Sequence, residues 1–207
     1  SLSIKGRIKM NLPNKLTITR LVLVPVFFIF FLLGKYTSLT VLSTAMMLII
    51  YAVAELTDLL DGKIARGRGM ITDLGKVMDP FADTLTHMTY FVCFLFSSIM
   101  PLWAFVLIMW REFSILFVRM ILAKYAGKAM SANIFGKAKT VLYAFTTLLS
   151  FVYLAISSFS SGNLSWLGTY KTVLYVFFSL SAFASVASFI IYIREVFKSG
   201  VLAGMTR

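Results

Sequence analysis

The chain has 207 residues, 59% of them apolar and 14% charged, with a mean hydropathy of +0.89. About a quarter of a soluble domain's residues are charged, so a water-soluble globule is excluded and an integral membrane protein is expected, with no room for a large soluble domain. The net charge of +12 is spread between apolar runs, which points to anionic membrane lipids and topology rather than nucleic acid.

Residues 1–15 carry Lys5, Arg7, Lys9 and Lys15. They read as a basic juxtamembrane segment, either an interfacial helix or a basic tail, ahead of a membrane domain at 16–207. No convincing cleavage site ends the apolar run that follows, so that run reads as a retained helix. It covers Leu21 to Leu33 and reaches spanning length when extended back to Leu16, with Arg20 expected to snorkel to the interface and Pro25 to kink the helix. A second span is expected from Leu39 to Leu56. The stretch Leu85–Trp110 has no Asp, Glu, Lys or Arg, and Ser97, Ser98 and Pro101 mark a hairpin tip inside it. Split there, it gives a third span and a fourth that ends near Ala123. A fifth runs from about Thr140 to Ser158, a Ser- and Gly-rich loop follows to Gly168, and a sixth runs from Thr172 to Ile193. The single cysteine, Cys93, lies in an apolar run and rules out an intrachain disulfide.

Six spans with the N-terminus in the cytoplasm place sixteen Lys and Arg on that side and two, Lys35 and Lys171, on the other, with Arg111 and Arg119 inside the fourth span. This asymmetry supports both the helix number and cytoplasmic termini. The expected fold is therefore an all-α membrane bundle of six helices.

Six of the eight acidic residues fall between positions 55 and 83. If both flanking spans stay helical, Asp58 and Asp61 share a face at i,i+3, and Asp79 and Asp83 share one at i,i+4. Two such pairs across a turn would repel, and a divalent metal pair would cancel that repulsion; oxygen ligands point to Mg²⁺, Mn²⁺ or Ca²⁺ rather than zinc. The alternative is a solvated acidic loop balanced by Lys63, Arg66, Arg68 and Lys76. A cation transporter is a further alternative, but its site is expected nearer the midplane than a cluster at one boundary.

Residues 58–83 read DLLDGKIARGRGMITDLGKVMDPFAD. This resembles the signature of the CDP-alcohol phosphotransferase family, D-x2-D-G-x2-A-R-x8-G-x3-D-x3-D, with Asp58, Asp61, Gly62, Ala65, Arg66, Gly75, Asp79 and Asp83 at the fixed positions. The resemblance implies six transmembrane helices, two divalent cations (Mg²⁺ or Mn²⁺), cleavage of a CDP-linked lipid with release of CMP, a cytoplasmic-side active site and a homodimer. It assigns Asp58, Asp61, Asp79 and Asp83 to the metals and makes Asp83 the base for the acceptor hydroxyl. Gly62, Ala65, Arg66 and Gly75 fall to the CDP-lipid; Arg66 offers a planar fork for a phosphate oxygen.

NLPNKLTITR (11–20), DPFAD (79–83), REFSILFVR (111–119) and GKAKT (136–140) are similar to the phosphatidylglycerophosphate synthase branch of that family. Its substrates would be CDP-diacylglycerol and sn-glycerol 3-phosphate, and its place the inner (cytoplasmic) membrane. That branch has Lys after the last aspartate where this chain has Thr84. Serine, inositol phosphate, another polyol or a lipid are the alternative acceptors. An acceptor phosphate needs cations, and Arg111, Arg119, Lys137 and Lys139 are the candidates. Glu112 is expected to point away from Arg111 and to face Arg119, seven residues on. His87, one turn after Asp83, either packs as a neutral histidine or bonds that carboxylate.

Overall fold

The computed structural model describes residues 11–67, 73–126, 134–160 and 164–198, apart from the side chains of 61–67, 73, 74, 76, 123–126, 134, 135 and 137. These residues form six helices: α1 (Leu12–Tyr36), α2 (Thr40–Gly67), α3 (Asp73–Phe96), α4 (Leu102–Ala126), α5 (Ile134–Phe159) and α6 (Leu167–Lys198). The expected number, order and hairpin are all present. The helices are longer than the apolar runs, because the polar ends at 57–67, 73–84 and 194–198 continue the same helical turns. Residues 1–10 lie outside the description. The anticipated loop at 158–168 is shorter than expected, since α5 reaches Phe159 and α6 starts at Leu167.

Chain order does not match spatial order. α1 packs on α2 and α3, α2 on α5, α5 on α6, α6 on α4, and α4 back on α3, so the six helices close a ring. Its centre is aromatic. Phe27, Tyr90, Phe91, Phe94, Phe151 and Phe178 are all fully buried, and Phe27 meets both Tyr90 and Phe151 at centroid distances of 4.8 and 5.8 Å. Tilted and edge-on contacts of this kind suit the ring quadrupoles. Small hydroxyl residues line the α5–α6 seam, where Thr146, Ser150, Ser181, Ser185 and Ser188 are buried. Lipid tails give helices no hydrophobic reason to associate, so close backbone approach through small residues holds such seams.

Among the described residues four helices are long and apolar enough to cross a bilayer by themselves: α1, α2 over Thr40–Leu60, α5 over Ala138–Phe159, and α6. The other two carry polar and charged residues within their helical runs. α3 carries Asp79, Asp83 and His87, and α4 carries Arg111, Glu112 and Arg119. The chain is a multi-pass membrane protein.

The α3–α4 turn shows how the hairpin closes. Ile99 N–H bonds Phe94 O at 3.0 Å and Ser98 N–H bonds Leu95 O at 2.9 Å, a Schellman pair with Ser98 in the left-handed region at φ 57°. Ile99 and Phe94, the residues that make the accompanying apolar contact in this motif, are both fully buried. Tyr175 of α6 donates to Ser98 O at 3.0 Å, and Lys35 of α1 donates to Phe96 O at 3.2 Å. This end of the ring lies opposite the carboxylates.

Candidate active site

α2 remains helical through Asp58 and Asp61, and α3 is helical from Asp73 through Asp83. The i,i+3 and i,i+4 relationships of the two aspartate pairs therefore hold. Because α3 begins at Asp73, Pro80 lies inside the helix, where it removes one backbone donor beside the carboxylates.

α1 packs on both acid-bearing helices and contributes a side chain to each. Arg20 Nη1 donates to Asp58 Oδ1, and Thr17 Oγ1 donates to Asp79 Oδ1 at 2.7 Å. Arg20 is 3% exposed. It does not snorkel outward as expected; it turns into the bundle, because a carboxylate there offers it a better partner than the interface. His87 Nδ1 lies 3.2 Å from Asp83 Oδ1 and 3.0 Å from the Asp83 carbonyl, so His87 is the partner of Asp83, and its ring also stands near Tyr90 and Phe91.

Arg20, Ala54, Glu55, Asp58, Asp83, Thr86 and His87 line a small cavity of about 10 Å³, room for roughly one water-sized species. Three carboxylates from two helices meet a guanidinium and an imidazole there. A larger cavity of about 220 Å³ lies at the opposite end, beside Lys35, Thr44 and Ser158, and is remote from this chemistry. Among the described residues no three His, Cys, Asp or Glu side chains form a ready-made metal site. The donor set is nevertheless right for a hard divalent cation, since Asp58, Asp79 and Asp83 offer only oxygen. Asp61 stands one turn beyond Asp58, with its side chain outside the described set. The same is true of Ala65 and Arg66, while Gly62 belongs to the same helical stretch. Gly75 is buried near the start of α3.

A second polar cluster joins α4, α5 and α6. Arg111 is 6% exposed; its Nη1 bonds Glu112 Oε1 at 2.9 Å and its Nη2 bonds Ser188 Oγ at 3.1 Å. Lys139 Nζ reaches the same Glu112 oxygen at 2.6 Å and Tyr143 OH reaches it at 3.1 Å. The expected Glu112–Arg119 pairing is not formed. Glu112 turns toward Arg111 and Lys139, where it is mostly covered and doubly compensated. Arg119 is exposed and sits 6.0 Å from the Tyr192 ring centroid, apart from the cluster. Lys137 lies outside the described side chains. The Phe91 ring stands between the two clusters, 6.4 Å from the His87 ring and 5.5 Å from the Tyr143 ring.

Of the residues singled out in the sequence, the structure brings Asp58, Asp83 and His87 to one cavity and Arg111 and Lys139 to one cluster. Sequence reasoning missed Thr17, the inward turn of Arg20, the place of Glu55 in the cavity, and Tyr143. A usable signal existed for Arg20 alone: a charge beside a long apolar run needs a partner, and acids were clustered nearby.

The family description CDP-alcohol phosphatidyltransferase matches residues 10–199. A CDP-diacylglycerol–glycerol-3-phosphate 3-phosphatidyltransferase of Treponema pallidum (strain Nichols) is 32% identical over 196 residues, covering 91% of this chain and 90% of that protein. The protein of the same description from Bacillus subtilis (strain 168) is 35% identical over 138 residues, 63% of this chain and 70% of its own. A cardiolipin synthase (CMP-forming) of Streptomyces coelicolor is 33% identical over 142 residues, 68% of this chain and 65% of its own. With the aspartate pattern carried on two adjoining helix ends and the likeness running nearly the whole length, the chain belongs to the CDP-alcohol phosphatidyltransferase family, a family of transferases.

Proposed function

We propose that this protein transfers the phosphatidyl group of CDP-diacylglycerol to sn-glycerol 3-phosphate, releasing CMP and forming phosphatidylglycerol phosphate. The observation that carries the reading is the similarity to the Treponema pallidum enzyme over 91% of this chain. The domain boundary at 16, the inner-membrane location, the active site on the cytoplasmic side and homodimer formation are part of the same proposal.

In this mechanism Asp83 accepts the proton of the acceptor hydroxyl. The freed oxygen bonds to the phosphorus of the phosphatidyl group, the pyrophosphate P–O bond breaks, and CMP leaves with the bonding electrons. Such a base has to lie within hydrogen-bond reach of the hydroxyl. His87 holds Asp83 from the apolar side of α3. Asp58, Asp61, Asp79 and Asp83 are the residues that would hold two divalent cations, Mg²⁺ or Mn²⁺, whose contribution when bound is to neutralise the pyrophosphate and the departing CMP. Thr17 orients Asp79 and Arg20 orients Asp58. Arg66 binds a phosphate oxygen, and Gly62, Ala65 and Gly75 let the nucleotide approach the backbone. Arg111 and Lys139, with Lys137 and Arg119 as outlying charges, serve the acceptor phosphate.

The likeness to a cardiolipin synthase favours a second reading, in which the acceptor is a lipid. One experiment separates them: purified protein, CDP-diacylglycerol, Mg²⁺ and a panel of acceptors, with CMP release and product followed together. Glycerol 3-phosphate is expected to be the preferred acceptor, and a preference for an uncharged or lipid acceptor would overturn the branch. In the same assay excess EDTA should abolish CMP release and Mg²⁺ or Mn²⁺ restore it, and Asp83→Asn should cost about 10²-fold or more, the usual contribution of a general base. Full release in EDTA would end the two-metal reading.

A further inference from the structure

Three donors from two helices converge on a single oxygen of Glu112: Arg111 Nη1 at 2.9 Å, Lys139 Nζ at 2.6 Å and Tyr143 OH at 3.1 Å. Residues of α6 brace the arrangement from outside, with Ser188 Oγ 3.1 Å from Arg111 Nη2 and Ser185 Oγ 2.9 Å from Tyr143 OH. Arg111, Lys139 and Glu112 together carry one net positive charge, and without the carboxylate the two cations would repel in a poorly screened interior.

The donors are not used up. Arg111 Nε has no hydrogen-bond partner among the described residues although the side chain is buried. An unmade donor on a buried guanidinium is costly, and it calls for an explanation such as an absent ligand. Lys139 has two further N–H groups beyond the one directed at Glu112. The spare donors are therefore cationic, sit on two different helices, and are held by one shared carboxylate beside the Asp83 cavity.

We propose that Glu112 is a positioning residue for the acceptor. It fixes Arg111 and Lys139 at one spacing, so that Arg111 Nε and the remaining Lys139 protons receive the acceptor's phosphate. The inference rests on the phosphate-bearing acceptor proposed above. Glu112 itself does not touch the substrate; an anion would be repelled by it, and its effect passes through the two cations. A network that merely ties α4, α5 and α6 together would affect stability and both substrates alike, whereas a positioning role is confined to one of them.

Glu112→Gln keeps the shape and removes the charge. In the purified full chain with Mg²⁺, this variant should raise the KM for glycerol 3-phosphate roughly tenfold or more, the scale of a lost charge-assisted contact. The KM for CDP-diacylglycerol should stay within about twofold, since the expected loss is confined to the acceptor contact. Glu112→Asp should recover part of the loss. Tyr143→Phe, which removes one donor and no charge, should give a smaller rise in the same KM and keeps the test open if Glu112→Gln folds poorly. Unchanged acceptor KM in Glu112→Gln, or equal rises in both KM values with a lowered melting temperature, would overturn the assignment. Wild-type protein that ignores glycerol 3-phosphate would overturn the acceptor reading before any variant is made. A wild type that uses it, matched by Glu112→Gln, would overturn the Glu112 assignment alone.

Discussion

Three of the described carboxylates are held by neighbours of different kinds: a guanidinium for Asp58, a hydroxyl for Asp79 and an imidazole for Asp83. Thr17 is the simplest of these to test, because it is fully buried and valine has nearly its shape. Thr17→Val leaves Asp79 one donor short. It should lower stability by about 1 kcal/mol, the typical net worth of one hydrogen bond, seen as a lower melting temperature in detergent. Transfer activity should fall as well. Wild-type melting and activity in Thr17→Val would remove Thr17 from the site. The residue pattern D-x2-D…D-x3-D was readable from the chain because its spacing is set by one helix at a time. His87 was open to the same reading, one turn from Asp83, but Thr17 and Arg20 were not, since Thr17 and Asp79 are 62 positions apart and Arg20 and Asp58 are 38 apart.

At the scale of elements, helix ends decided what hydropathy left open. α2 and α3 continue past their apolar runs, and this continuation keeps Asp58 and Asp61, and Asp79 and Asp83, at helical spacing. Ser98 marks the end of α3 at φ 57°, a conformation that costs an L-residue roughly 1–2 kcal/mol and glycine little. Ser98→Gly should therefore stabilise the hairpin by about 0.5–1 kcal/mol, after glycine's own entropy cost, with a higher melting temperature and unaltered activity. A lower melting temperature would show that the Ser98 side chain contributes more than its backbone strain takes away. The hairpin itself was legible in Ser97, Ser98 and Pro101, because an uncharged run too long for one span has to turn at its polar residues.

For the whole molecule, ring closure puts Asp58, Asp79 and Asp83 at one end and Lys35, Phe96, Ser98 and Tyr175 at the other. With cytoplasmic termini, Lys35 lies outside and Lys198 inside. Single cysteines at these two positions, in a chain whose Cys93 has been replaced, should label from opposite sides of oriented vesicles. Labelling from the same side would refute the proposed orientation. The ring also explains why α3 and α4 tolerate their charges. Each packs between neighbours that supply partners, so Arg111 and Glu112 meet each other, Lys139 and Ser188 rather than lipid.

Read alone, the sequence determined the membrane class, the number and order of the helices and the aspartate pattern. All of these are written locally, in runs about twenty residues long or in spacings of three and four. Tertiary structure decided which helices touch. It set α1 against both acid-bearing helices, turned Arg20 inward to Asp58, and gave Glu112 to Arg111 and Lys139 instead of Arg119. Helical periodicity fixes the face on which a side chain starts, but a long charged side chain chooses its partner by burial and charge. Arg20 and Lys139 find theirs on other helices, 38 and 27 positions away in the sequence, while Arg111 takes the residue beside it.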